Sequence, residues 1–189
     1  MGAPIPPRAV GRLPGAVQKV LKRKDSVAAL SERYRYMSNA VVVGRGLNYA
    51  NAFEFSLKLM ETCYVAAERF PGADFLHGPI ALVERVFPVF VFAPPGPTFP
   101  GVVSLCGKLR SLQAETVVIG PADGGIPESL ATRSIAIGAR IPTLSKLPLD
   151  LFTPIPYIVP AQLFTAFLAE QKGLNPDRPP ILTKVTKTI

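Results

Sequence analysis

Continuous apolar runs alternate with stretches of helical periodicity along most of this chain. Asn39–Val43, Pro88–Ala93 and Glu115–Ile119 are short and apolar throughout. That is the pattern of parallel strands covered on both faces. Val65–Phe70 and Ser134–Ile137 read as two shorter strands. From Asn48 to Ala67 there is no Pro or Gly, and Ala52, Phe55, Leu59, Cys63 and Ala66 recur at steps of three and four. One long helix is expected there, overlapping the start of the second strand. Phe99–Leu112 predicts another helix, with Pro100 in its first turn. Ala16–Arg35 predicts an amphipathic helix broken near Asp25, with Ser26 as a cap for its second half. Ile80–Glu84 reads as a short helix, and residues 1–13, rich in proline, as extended chain. Thr153–Lys172 reads as a last helix that Gly173 ends and in which Pro160 marks a kink or the true start.

Strands alternating with helices predict an α/β fold. The expected form is a three-layer, doubly wound, Rossmann-like sheet of the flavodoxin type, mainly parallel. The expected division is an arm at 1–35, a single domain at 36–174 and a tail at 175–189. Ligands of such sheets sit beyond the carboxyl ends of the strands. Gly44, Arg45, Gly46 and Asn48, in the turn after the first strand, are therefore candidate substrate-binding residues. The turn reads GRGLNYA. It lacks the third glycine of a dinucleotide fingerprint, and no Walker-type phosphate loop occurs.

Composition narrows the function. The chain has 189 residues, 48% of them hydrophobic and 18% charged, enough to bury a core and too apolar for general disorder. No apolar run reaches the roughly 18 residues of a spanning helix. The start of the chain has no secretory apolar segment, and Pro6 stands where myristoylation needs Ser or Thr. No membrane association and a cytoplasmic location are expected. The net charge of +8 permits nucleic-acid binding. Lys19, Lys22, Arg23 and Lys24 have no interleaved aromatic rings, however, and read as a solvated helix face. No nucleic-acid partner is expected, while an anionic small substrate suits this balance. Cys63 and Cys106 lie far apart and read as buried reduced thiols. With one histidine they make no zinc ligand set, so no metal is expected.

Glu54, Lys58 and Glu61 follow one another at steps of four and three, on one face of the long helix. His77 is the only histidine, in a loop reading LHGP. A carboxylate, a cation and a group titrating near neutral pH suffice to isomerise a sugar phosphate. The carboxylate moves a proton between neighbouring carbons, the cation steadies the enediolate oxygen, and the third group opens the ring. Neither a metal nor an organic cofactor is required. Each residue also has a plainer reading: Glu61 as a surface partner of Lys58, His77 as a loop histidine, Lys184 as part of a polar tail.

The text VVVGRGLNYANAFEFSLKLMETCYVAAE, then FLHGPIALVE, PVFVFAP and the ending IVPAQLFTAFLAEQKGLNPDRPPILTKVTKTI resembles a known family. It is similar to the second SIS (sugar isomerase) domain of glucosamine-6-phosphate synthases and to SIS-type glucosamine-6-phosphate deaminases. RLPGAVQKVL resembles the linker helix between two SIS domains. The resemblance implies that Glu61 shuttles the proton between C1 and C2 and that Lys58 supports the enolate. It implies that His77 opens the ring in a neighbouring subunit's site, that Lys184 forms a Schiff base with the open-chain ketose, and that Glu54 helps to place the substrate. A homodimer, or a first SIS domain as partner, is implied as well. Met60 and Leu76 stand where synthases often carry Lys, and the tail is nearer the deaminase type. In two-domain relatives a Ser/Thr-rich loop of the first domain holds the phosphate; GRGLNYAN has neither residue. The expected function is therefore an amino-sugar phosphate isomerase or deaminase domain acting on glucosamine 6-phosphate or fructose 6-phosphate. The alternatives are a non-catalytic binding module and the C-terminal half of an aminotransferase.

Overall fold

A computed structural model describes residues 5–122, 125–144 and 147–179. The expected strands all form: β1 (Asn39–Gly44), β2 (Ala66–Pro71), β3 (Pro88–Phe92), β4 (Glu115–Pro121) and β5 (Arg133–Ile137). They make one five-stranded parallel sheet in the order β2-β1-β3-β4-β5. This is the flavodoxin-type order.

Alternate side chains of each central strand enter two cores. Ala40, Val42, Phe90, Phe92, Val117 and Ile119 point to one face. Val41, Val43, Val89, Val91 and Val118 point to the other. Both faces are dry, which is why these strands read as unbroken apolar runs. On the first face lie α2 (Leu13–Leu21), α3 (Lys24–Glu32), α4 (Tyr49–Cys63) and α7 (Pro154–Gln171). On the second lie α5 (Gly72–Phe75) and α6 (Phe99–Ser111). The first core is aromatic at its centre. Phe55 of α4 meets the rings of Phe90, Phe92 and Phe164 edge-on at 5.0–6.2 Å between centroids.

The structure changes several expected boundaries. The long helix stops at Cys63, because Tyr64 turns left-handed (φ 53°) and the Val65 N–H bonds back to Leu59 O at 3.1 Å. Ala66 and Ala67 then join β2, where pairing with Asn39 and Ala40 outweighs helix propensity. Residues 7–10 form a helical turn, α1 (Pro7–Val10), started by Pro7 rather than left extended. The break in the N-terminal helix falls at Lys22-Arg23. Ser26 lies inside α3, its hydroxyl bonded to Arg23 O at 2.7 Å, and it does not cap. Val20 and Val27 enter the first core, and Ala9 and Leu13 pack with Phe152. The N-terminal arm therefore closes one face of the domain. Pro160 lies within α7 without ending it.

Candidate functional site

Strand order reverses between β1 and β3, so the carboxyl ends of these two strands mark the usual ligand crevice of such a sheet. Here the chain fills much of it with its own polar groups. A Cβ on Gly44 would overlap the Asn48 carbonyl and come within 2.8 Å of Tyr49 Cα, so the turn closes only around glycine. Gly46 takes a left-handed conformation (φ 58°) beside Thr98 and Asp150. Asn48 is fully buried; its Nδ2 donates to Thr153 Oγ1 at 2.7 Å, and that hydroxyl donates to Asp150 O at 2.7 Å. Asn51 Nδ2 donates to Asn48 Oδ1 (3.1 Å) and to Pro154 O (3.0 Å). The start of α4 is thereby latched to the start of α7. Asn48 and Gly44 act here as parts of that latch, with no free polar side-chain atom turned to solvent. Arg45 reaches the opposite side, its guanidinium lying against Gly101 in the first turn of α6. The neighbouring Thr98 hydroxyl is buried without a hydrogen-bond partner among the described residues.

The second cluster lies on the outward face of α4. The inward face, Ala52, Phe55, Leu59 and Cys63, is buried. The outward face carries two rows. Phe53, Leu57 and Met60 are exposed apolar side chains in one row, which Tyr64 extends. Glu54, Lys58 and Glu61 are half-buried in the other. Lys58 Nζ donates to Glu61 Oε2 at 2.6 Å. That hydrogen bond, reinforced by the charges of Glu61 and Glu54 against a smaller opposing effect of burial, holds the Lys58 ammonium above the ordinary lysine range. The lysine engages one carboxylate oxygen of Glu61 and leaves the other without a hydrogen bond among the described residues. Glu54 accepts from Gln162 Nε2 at 3.3 Å, tying the row to α7.

His77 is not part of this cluster within one chain. It is exposed, just after α5, its N–H bonded to Asp74 O at 3.1 Å, past the end of the sheet where β2 finishes. Glu61, two residues before the end of α4, lies toward the end where β2 begins. The six-residue strand between them spans about 20 Å. Lys184 lies outside the described residues. Both cysteines are buried, and burial raises both thiols, Cys106 to about 12. Among the described residues no cluster of three or more His, Cys, Asp or Glu is arranged to hold a metal ion, and no helix is long and apolar enough to cross a membrane. Sequence reading passed over Asp150, Thr153, Thr98 and Asn51. Their signal is contact between segments far apart in the chain, 105 residues for Asn48 and Thr153, which no local pattern carries.

Comparison with known proteins bears on the family and the fold. A family model described as "SIS domain" matches residues 35–153. Glutamine–fructose-6-phosphate aminotransferase [isomerizing] of Pyrococcus horikoshii is 36% identical over 176 residues, covering 93% of this chain and 28% of its own length. The chain thus spans less than a third of the curated relatives it matches. The C-terminal domain of glucosamine-fructose-6-phosphate aminotransferase from Francisella tularensis superposes with a TM-score of 0.74 at 22% identity, over 87% of this chain and 44% of that one. Tagatose-6-phosphate ketose/aldose isomerase from Escherichia coli gives 0.65 at 25% identity, over 87% and 46%.

Proposed function

Because this chain belongs to the SIS-domain family, we propose that α4 supplies the acid–base half of a sugar-phosphate site, acting on substrates of the glucosamine 6-phosphate/fructose 6-phosphate class. Glu61 takes the proton from one carbon of the open-chain sugar and returns it to the neighbouring one. Lys58 steadies the negative oxygen that develops in between. Lys184 condenses with the ketose carbonyl, releasing water, and the imine then shares the same proton transfer. His77 opens the ring, and since it lies a strand's length from Glu61 in its own chain, it serves the site of a second copy. Arg45, at the same carboxyl edge as the loop that carries His77, offers a cation toward the phosphate in that second copy's site, Gly44, Gly46 and Asn48 shape the edge, and Glu54 helps to place the sugar. The reaction calls for no cofactor. The observation that carries this reading is the 2.6 Å Lys58–Glu61 pair on the outward face of α4.

The partner is a second copy of the chain or a first SIS domain, and the setting cytoplasmic. Two alternatives stand beside this reading. The match to the C-terminal part of the aminotransferases favours one half of such an enzyme, with amide nitrogen delivered by another domain. The distance between Glu61 and His77 within one chain favours a module that binds a sugar phosphate without turning it over. The test is to follow ammonia release from glucosamine 6-phosphate and interconversion with fructose 6-phosphate, with calorimetry in parallel. Turnover that falls at least a hundredfold in Glu61→Gln supports the catalytic reading. Binding without turnover supports the module, and a fully active Glu61→Gln removes Glu61 from the chemistry.

A further inference from the structure

The end of the sheet opposite the ligand crevice carries a cavity of about 740 Å³. One turn and two helix ends converge on it: the α3–β1 turn with Arg33, Arg35 and Tyr36, the end of α4 with Tyr64, and the end of α7 with Gln171 and Lys172. The charged residues lining it are all cations. Glu115, behind Arg33, is 6% exposed and already accepts from Tyr34 Oη (2.9 Å) and Arg33 Nε (3.4 Å). Lys172 Nζ donates to Met37 O (2.6 Å) and Cys63 O (3.3 Å), which leaves a third N–H free. Gln171 is held by Ser31 and Ala28 O. The guanidinium of Arg35 and the rings of Tyr36 and Tyr64 are exposed.

Tyr64 adds an independent observation. It holds the left-handed position just after α4 (φ 53°, ψ 37°), which glycine occupies without strain and a bulky residue occupies at a cost. Strain retained where a simpler residue would relieve it points to a use for the side chain. The ring is 48% exposed, at the cavity.

We propose that this cavity is a second binding site, for a phosphate ester carrying a flat ring, of the nucleoside monophosphate class. Guanidinium groups recognise phosphate oxygens in pairs, and Arg33 and Arg35 supply two on one wall. Tyr36 and Tyr64 offer ring faces for the base. The cavity lies round the end of α4 from Glu61, and Tyr64, three residues on, is one of its lining residues.

Calorimetry on the full chain with adenosine 5′-monophosphate tests this, against inorganic phosphate and ribose alone. The monophosphate is expected to bind at least tenfold more tightly than either. Arg35→Ala is expected to weaken it about tenfold. Tyr64→Gly is expected to raise the melting temperature while abolishing the preference for the nucleotide over phosphate. Equal affinity for phosphate and nucleotide, or unchanged binding in both variants, overturns the proposal. So does competition by fructose 6-phosphate, which would place the nucleotide in the other site. None of these readouts depends on turnover, so they stand or fall apart from the assignment of Glu61.

Discussion

The carboxyl edge of the sheet and the outward face of α4 are neighbours in sequence and behave in opposite ways. The edge is closed: Asn48, Asn51, Thr153 and Asp150 are each less than a tenth exposed, and three of them bond to one another or to neighbouring carbonyls. The face is open: Glu54, Lys58 and Glu61 are half-buried beside exposed Phe53, Leu57 and Met60. Buried polar groups that satisfy one another fix a single arrangement of the backbone. Charged groups beside uncovered apolar side chains wait for another surface. In this domain the usual ligand crevice therefore anchors the helix, and the helix presents the chemistry outward. Under the function proposed above, a second copy or a second SIS domain would complete such a site.

If the edge is a latch, substitutions there should cost stability. Gly44→Ala is expected to have the largest effect, about 3 kcal/mol or more, because its methyl meets the Asn48 carbonyl and Tyr49 Cα in a turn with no room to yield. A urea midpoint close to wild type would mean that the turn is soft and the latch is not one. Asn48→Ala comes next, at about 1–3 kcal/mol, since it leaves the Asn51 amide and Thr153 without their buried partner. Alkali should act on the cores next to both regions. Burial raises Cys106 to about 12, and it raises Tyr157 and Tyr34, the latter helped by the Glu115 charge. These groups stay neutral in the folded chain, while the unfolded chain ionises Cys from about pH 8.5 and Tyr from about pH 10. The unfolded state then holds fewer protons, so stability should fall steadily above about pH 8.5. A flat melting temperature from pH 8 to 11 would contradict that burial. The smallest effect belongs to the open face. Lys58→Ala should change stability by less than about 1 kcal/mol, because both partners are partly solvated. A loss as large as that of Asn48→Ala would erase the contrast between the two regions.

Fold and site were legible to different depths. The strands could be read because both faces of the sheet are dry, so Asn39–Val43, Pro88–Ala93 and Glu115–Ile119 are apolar without alternation. The end of α4 could not. Nothing in CYVAA marks Tyr64 as left-handed, since the usual signal is glycine. The outward row Glu54, Lys58, Glu61 followed from helical spacing alone. The latch did not, because it joins residues 48 and 51 to 150, 153 and 154. Asn48 could be picked out from its turn position, but not its burial at 0% exposure against a partner 105 residues away. Arg45 could be placed in the turn, but its packing on Gly101 depends on α6, which the turn's own sequence does not encode.

The most direct measurement is proton exchange at the carbons that isomerisation must touch. The chain is incubated with fructose 6-phosphate in heavy water, and deuterium at C1 is followed by NMR. The account predicts enzyme-dependent incorporation that drops at least a hundredfold in Glu61→Gln, with the fold unchanged by circular dichroism. Incorporation at the wild-type rate in that variant, or none with the wild-type chain, would contradict it.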